Sequence, residues 1–215
     1  MGQTTPPVGP PGTASDLVFN PSQTALIATV KGNGVDPGYI YAYPVNYDGS
    51  VSTTPIVSRP SELLIDFSVS FIDDSNAVIT DPVYGAALVD VSWDFKFTVQ
   101  TKIVVAGEGA ICWSVYSPRF NTVYLIDAGS TNITLVDPQS GAKKGTVVLD
   151  AANKGGFDSQ IDREYLYVLR GTTTVSVLSN DGLNHGVLPK EVQTLDLSAF
   201  GPRQGWQGMA IYPSS

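Results

Sequence analysis

An all-β fold of repeated four-stranded antiparallel sheets is what this sequence predicts, and three observations predict it. Short apolar stretches alternate with polar residues at period two and are rich in β-branched and aromatic residues, as strands require. Turn formers interrupt them throughout: the 215 residues include 21 glycines and 15 prolines. The strand pairs also recur, with corresponding residues Leu26, Val78, Val123 and Leu166 spaced by 52, 45 and 43 positions. Four antiparallel strands per roughly 40 to 50 residues form the blade of a β-propeller. The cause is burial, because one twisted sheet has two faces to cover and its neighbours must stack on both. A β-sandwich shares the short, regularly spaced strands but does not predict self-similar segments.

The elements follow in order. Residues 1–13, MGQTTPPVGPPGT, read as an extended Pro/Gly-rich arm or a truncation point. The first blade, about 14–60, pairs the strands of DLVFNPSQTALIATVKG, adds GYIYAYPV, and has a weak fourth strand near TTPIVS. The second, about 61–106, runs DFSVSFIDDSNAVITDP, GAALVDVSW, FTVQTKIVV. The third, about 107–151, runs AICWSVYSPRFNTVYLIDAG, NITLVDP, GTVVLD, and the fourth, about 152–200, GFDSQIDREYLYVLRG, TTVSVLS, EVQTLDLSAF. No amphipathic helix is predicted. Residues 204–215 remain. Their AIYPS aligns with VFNPS of the first unit and VYSPR of the third, so one extra innermost strand is expected there.

Composition narrows the function. A formal net charge of −8 repels a phosphate backbone and an anionic membrane, so neither nucleic acid nor membrane is expected as a partner. The apolar runs are too short to cross a bilayer. The amino end lacks the charged and apolar regions of a signal peptide, and Pro6 breaks the myristoylation pattern. A single cysteine makes no internal disulfide. The sequon Asn132-Ile133-Thr134 falls at a predicted hairpin turn.

The segments TASDLVFNPSQTALIATVKG, PGYIYAYPVNYDGSVS, SRPSELLIDFSVSF, GAICWSVYSPRFNTVYLIDA and QGMAIYP resemble the fungal secreted lactonase-like, carboxymuconate-cyclase-like propellers. The resemblance runs from about Thr13 to the carboxyl end. It implies a seven-bladed ring of which this chain is the carboxyl-terminal portion, an extracellular location, and a shallow site over the central channel. It also implies kinship in fold with enzymes that open or close lactones. The family's catalytic histidine, glutamate and arginines have no residue-by-residue counterparts here, and His185 is the only histidine.

In a propeller the starts of the innermost strands converge on one rim. That set is Asp16, Asp66, Ser68, Glu108, Asp158, Gln160 and Gln207. Asp66 and Glu108 are the candidate general acid and base, since such work needs two carboxyls at one site. Ser68, Asp158, Gln160, Trp206 and Gln207 are candidate ligand contacts, and an Asp at a strand start equally caps a turn. Aligning the second-strand ends VKG, TDP, IDAG and LRG puts Lys31, Asp81, Asp127 and Arg170 at equivalent positions. Lys31, Arg170 and the turn residue Arg119 suit a carboxylate-bearing ligand, and a solvated salt-bridging ring is the competing reading.

Cys112 needs a nearby base to act as a nucleophile, and His185 falls in a turn between outer strands, so burial is expected of this thiol. No phosphate loop, dinucleotide fingerprint, nucleophile elbow or histidine metal pair is present, and no cofactor is expected. Calcium on channel carboxylates is compatible with the residue types, with no motif specifying it. The function expected is binding of a small molecule or a protein at the channel face. The alternative is a lactone-opening or lactone-forming enzyme. Another chain completing the ring, or a homodimer, is the expected assembly.

Overall fold

In the computed structural model, residues 11–203, 206 and 208–212 are described. They form four four-stranded antiparallel sheets, one per repeat. The first holds β1 (Ala14–Phe19), β2 (Ala25–Val30), β3 (Tyr39–Pro44) and β4 (Ile56–Ser58). The second holds β5 (Val69–Asp73), β6 (Asn76–Asp81), β7 (Gly85–Val91) and β8 (Phe97–Val104). The third holds β9 (Ile111–Ser117), β10 (Thr122–Asp127), β11 (Asn132–Val136) and β12 (Lys143–Val148). The fourth holds β13 (Gly156–Asp162), β14 (Tyr165–Arg170), β15 (Thr174–Ser179) and β16 (Lys190–Asp196). Within every sheet the strands follow chain order, so each repeat is a meander. Helix among the described residues is limited to three-residue 3-10 turns such as Leu183–His185.

Local chemistry sets the turns. Asn20 accepts from the backbone N–H groups of Thr24 and Ala25, closing the β1–β2 turn, and its amide donates to Asp74 of the second sheet at 2.8 Å. Asp137 closes the β11–β12 turn by accepting from the N–H groups of Gln139 and Ser140. Both are side chains imitating a backbone turn. The sequon residue Asn132 opens β11 just past its turn, and Ile133 and Thr134 behind it are buried.

Side-chain alternation then decides the architecture. Along β6, Ala77 and Ile79 pack against Ile27, Ile40 and Ala42 of the first sheet. Val78, between them, faces the other way and packs against Val123 and Leu125 of the third. Along β10 the same split recurs, with Tyr124 and Ile126 packing on Leu166 and Val168 of the fourth sheet. Each inner sheet therefore buries both faces against different neighbours, as radially stacked blades do and a two-layer sandwich does not. Among the described residues the first sheet has a neighbouring sheet on one side only. Its other face presents Leu17, 65% exposed, and Phe19, 48% exposed, beside the stacked rings of Tyr39, Tyr41 and Tyr43.

Residues 208–212, expected as an extra innermost strand, show no strand pairing among the described residues. They are tied to β13 through side chains: Met209 N–H donates to Asp158 Oδ2 at 2.6 Å, and Gln160 Nε2 donates to Met209 O at 3.3 Å.

Candidate functional site: the channel and its rim

Strands β1, β9 and β13 each carry an irregularity near their start, after which Asp16, Trp113 and Asp158 stand opposite Thr29, Ile126 and Leu169. Thr29 Oγ1 donates to the Phe67 carbonyl at 2.8 Å, and Thr80 Oγ1 donates to the Cys112 carbonyl at 2.7 Å. Thr80 therefore matches Thr29, and Ser68 matches Asp16, Trp113 and Asp158.

At this common level each innermost strand meets the next. Asp16 Oδ2 accepts from Val69 N–H at 2.9 Å, joining blades one and two. Ser68 Oγ lies 3.3 Å from Ser114 Oγ, which in turn donates to Ser70 Oγ at 2.9 Å, joining blades two and three. Between blades three and four the pair is Trp113 and Ser159, whose buried Nε1 and Oγ lack partners. Trp113 packs instead edge-on against Phe67, 5.0 Å between centroids.

The residues of this level help line an open cavity of about 990 Å³ to which all four innermost strands contribute. Asp16, Ser68, Trp113, Asp158 and Gln160 line it, and Tyr41 and Tyr43 of the uncovered first-blade face extend it. Burial raises the Asp158 carboxyl to about 6, against the pull of the Met209 and Ser159 N–H groups. Of the candidate contacts, Ser68, Asp158 and Gln160 are brought together here. Ser70, Ser114 and Tyr116 also line the cavity and were not singled out from sequence. The signal was available, as polar residues at every second position of an otherwise apolar strand.

The other candidates lie apart from the cavity lining. Asp66 is fully buried at the start of the second repeat, with both carboxyl oxygens unpartnered. Desolvation, with Asp81 nearby, raises its pKa to about 8. A Cβ on Gly38 would sit 3.0 Å from Asp66 Oδ2, so the β2–β3 loop closes over this carboxyl. Glu108 is half-buried; Oε2 accepts from Ile111 N–H at 2.9 Å while Oε1 is buried and free. Its carboxyl is raised to about 7, chiefly by desolvation.

Lys31 is buried with its ammonium 5.2 Å from the Phe67 ring centroid, and burial lowers its pKa. Arg119 is exposed, in the turn at the opposite end of the strands, and pairs with Glu164 at 3.6 Å. Trp206 is half-buried, its N–H donating to Arg203 O, and it does not line the cavity. Gln207 lies outside the described residues.

Two sequence expectations are corrected. Val30, not Lys31, occupies the position of Asp127 and Arg170: Val30 pairs with Ala14 as Asp127 pairs with Ile111 and Arg170 with Gly156. Equivalence follows ladder register, and the VKG pattern runs one residue long. Arg170 is also no ligand clamp. Fully buried, its guanidinium donates to the carbonyls of Lys154 and Asp150, in the loop between the third and fourth blades, and to Ser176 Oγ of its own blade.

Asp81 and Asp127 perform the mirror task. Asp81 accepts from the N–H groups of Leu64, Ile65 and Val83. Asp127 accepts from those of Gly109, Ala110, Gly129 and Ser130 and from the Ser130 hydroxyl. Burial works against the Asp127 carboxylate, yet these donors hold its pKa below the ordinary value. The loops it joins touch at Gly109 and Gly129, where a Cβ on either would lie under 3 Å from the other's backbone.

Cys112 is buried, and desolvation with the charges of Asp127 and Glu108 pushes its thiol up to about 12. His185 lies in the fourth blade between β15 and β16, so the two form no nucleophile pair. Among the described residues no group of three or more His, Cys, Asp or Glu is placed to hold a metal ion.

This arrangement of meanders around a shared channel is the β-propeller fold, and solved structures share it. A Bacteroides uniformis protein proposed to be a 6-phosphogluconolactonase superposes with TM-score 0.66 at 13% identity, over 83% of this chain and 55% of its own. A Bacteroides fragilis protein proposed to have the same activity gives TM-score 0.62 at 14% identity, over 83% and 55%. The WD40 domain of Neurospora crassa Pan2 gives TM-score 0.62 at 10% identity, over 86% and 50%. The chain thus spans about half the length of these structures, and the likeness is one of fold. No protein-family profile matches the sequence, and no curated protein matches it.

Proposed function

We propose that this chain is a lactonase-like propeller protein, acting outside the cell, that binds a small ligand or a protein partner at its channel face as part of a larger, seven-bladed ring. The observation that carries the reading is the 990 Å³ cavity where four blades deliver hydroxyl, amide, carboxyl and indole groups to one lining. Mostly apolar walls with a few convergent polar groups are what small-ligand sites offer. The half-length match to longer propellers supports the larger ring. No cofactor enters this reading.

The test is a thermal-shift screen of sugars, sugar lactones and aromatic acids on the chain and on Ser68→Leu and Gln160→Leu variants. A binder raises the melting temperature of the parent and not of the variants, since ligand at about 100-fold its Kd adds about 2.7 kcal/mol. A panel without a single shift, or shifts unchanged in both variants, contradicts the reading.

A second reading, lactone opening, is favoured by Glu108, whose free Oε1 and carboxyl at about 7 suit proton transfer at neutral pH. Lactone hydrolysis by Glu108→Gln and Asp66→Asn variants decides it. Unchanged turnover in both removes these residues from the mechanism.

A further inference from the structure

We infer that the channel cavity selects its small ligand by the sign of charge, and that the ligand is an organic cation: a protonated amine carried on a flat aromatic body. The inference rests on the reading of the cavity as a ligand site and adds to it the chemistry of the occupant.

The lining is electrostatically one-sided. Among the described residues it holds two carboxyls, Asp16 on β1 and Asp158 on β13, and no lysine, arginine or histidine. The basic side chains that sequence pointed to are engaged elsewhere: Arg170 with backbone carbonyls, Lys31 with the Phe67 ring and Arg119 with Glu164. An anion entering this space meets like charge with nothing to offset it. A cation meets a negative field that low-dielectric walls concentrate.

The carboxyls have capacity for such a guest. Asp16 accepts from the N–H groups of Leu17 and Val69, and Asp158 from those of Ser159 and Met209. These bonds use about two of the roughly four lone-pair sites on each carboxylate. Both side chains are half-buried, and the charge of Asp16 adds to the burial that raises the Asp158 carboxyl, so the two act on one space. Ser159, 3% exposed, stands beside Asp158 in the wall with its Oγ unpartnered, a further acceptor for an ammonium N–H.

Phe19, Tyr41, Tyr43, Phe71, Trp113 and Tyr116 bring aromatic rings to the same lining. Ring faces attract cations, and rings pack well on a flat aromatic body. The guest is organic because, among the described residues, no three His, Cys, Asp or Glu side chains are placed to hold a metal ion.

Three indole ligands of similar shape test the inference by calorimetric titration of the whole chain: tryptamine, a cation; tryptophol, neutral; and indole-3-acetate, an anion. Tryptamine should bind at least about tenfold more tightly than tryptophol, and indole-3-acetate most weakly. The advantage of tryptamine should shrink in Asp158→Asn. Gln160→Lys keeps a donor for the Met209 carbonyl while adding an ammonium to the lining, and should reverse the order. The advantage should also fall from about pH 7.5 to about pH 5, because Asp158 takes up its proton near 6 while the amine stays charged. The other titratable groups of the lining are Asp16, Tyr41, Tyr43 and Tyr116; of these only Asp16 gains a proton toward acid, with the same sign. Equal affinity for the three ligands, or tightest binding of indole-3-acetate, overturns the inference while the cavity remains a ligand site. A Gln160→Lys protein with native β-sheet signal and an unchanged order overturns it too. So does silence from all three ligands, and the screen of sugars and lactones then decides separately whether the cavity binds anything.

Discussion

Asp127 and Arg170 occupy the same position in neighbouring blades and carry opposite charges, yet they do one job. Each ties the loop that leads into its blade's innermost strand. Asp127 does so by accepting from backbone N–H groups and Arg170 by donating to backbone carbonyls. The lesson is that charge at this rim follows the polarity of the loop it holds, not the polarity of a ligand. A buried ion whose hydrogen-bonding capacity is filled by its own backbone has little left for recognition.

Breaking the tie should cost most where burial is deepest. Arg170→Met takes the donor from the Lys154 and Asp150 carbonyls and from the buried Ser176 Oγ, and is expected to destabilise the chain by about 3 kcal/mol or more in urea unfolding. Arg170→Lys should recover only part, since one ammonium cannot span carbonyls on two sides.

Asp127→Asn comes next. It keeps the shape but exchanges an acceptor for a donor facing N–H groups, and should cost about 1 to 3 kcal/mol by the same measurement. With its native pKa held low, Asp127 contributes stability that is full at neutral pH and lost as pH falls through that value.

Asp66 sharpens the contrast because its sign is reversed. The folded chain keeps a proton on Asp66 to about pH 8, whereas the unfolded chain releases it near the ordinary carboxylate value. Stability must therefore decline as pH rises between those limits. Asp66→Asn should be no less stable than the parent at pH 4 and increasingly more stable toward pH 8. Parallel pH profiles for the two proteins would remove this account of the buried carboxyl. The smallest effect is expected at Cys112: with the thiol at about 12 and buried, native protein should not react with iodoacetamide at pH 8, and urea-unfolded protein should react.

The fold was legible because period-two alternation and a recurring turn chemistry are local properties. Leu26, Val78, Val123 and Leu166 mark real second strands, one per sheet. The site was legible in part. Ser68, Asp158 and Gln160 could be found because strand starts converge in any propeller. Arg170 and Lys31 misled for different reasons. A sequence shows that a cation is present but not that its donors are filled, and a one-residue irregularity in register is invisible until the strands are paired. Trp113 shows the same limit, because its edge-on packing joins it to Phe67 of the neighbouring blade, far back along the chain.

The central claim is that innermost strands of successive blades meet side by side at one channel. Cysteines at Ser70 and Ser114, whose hydroxyl oxygens lie 2.9 Å apart, test it most directly in a Cys112→Ala background. Mild oxidation should close an intramolecular disulfide in high yield without loss of β-sheet signal. Thiols that stay free, or that couple only between molecules, would contradict the radial arrangement.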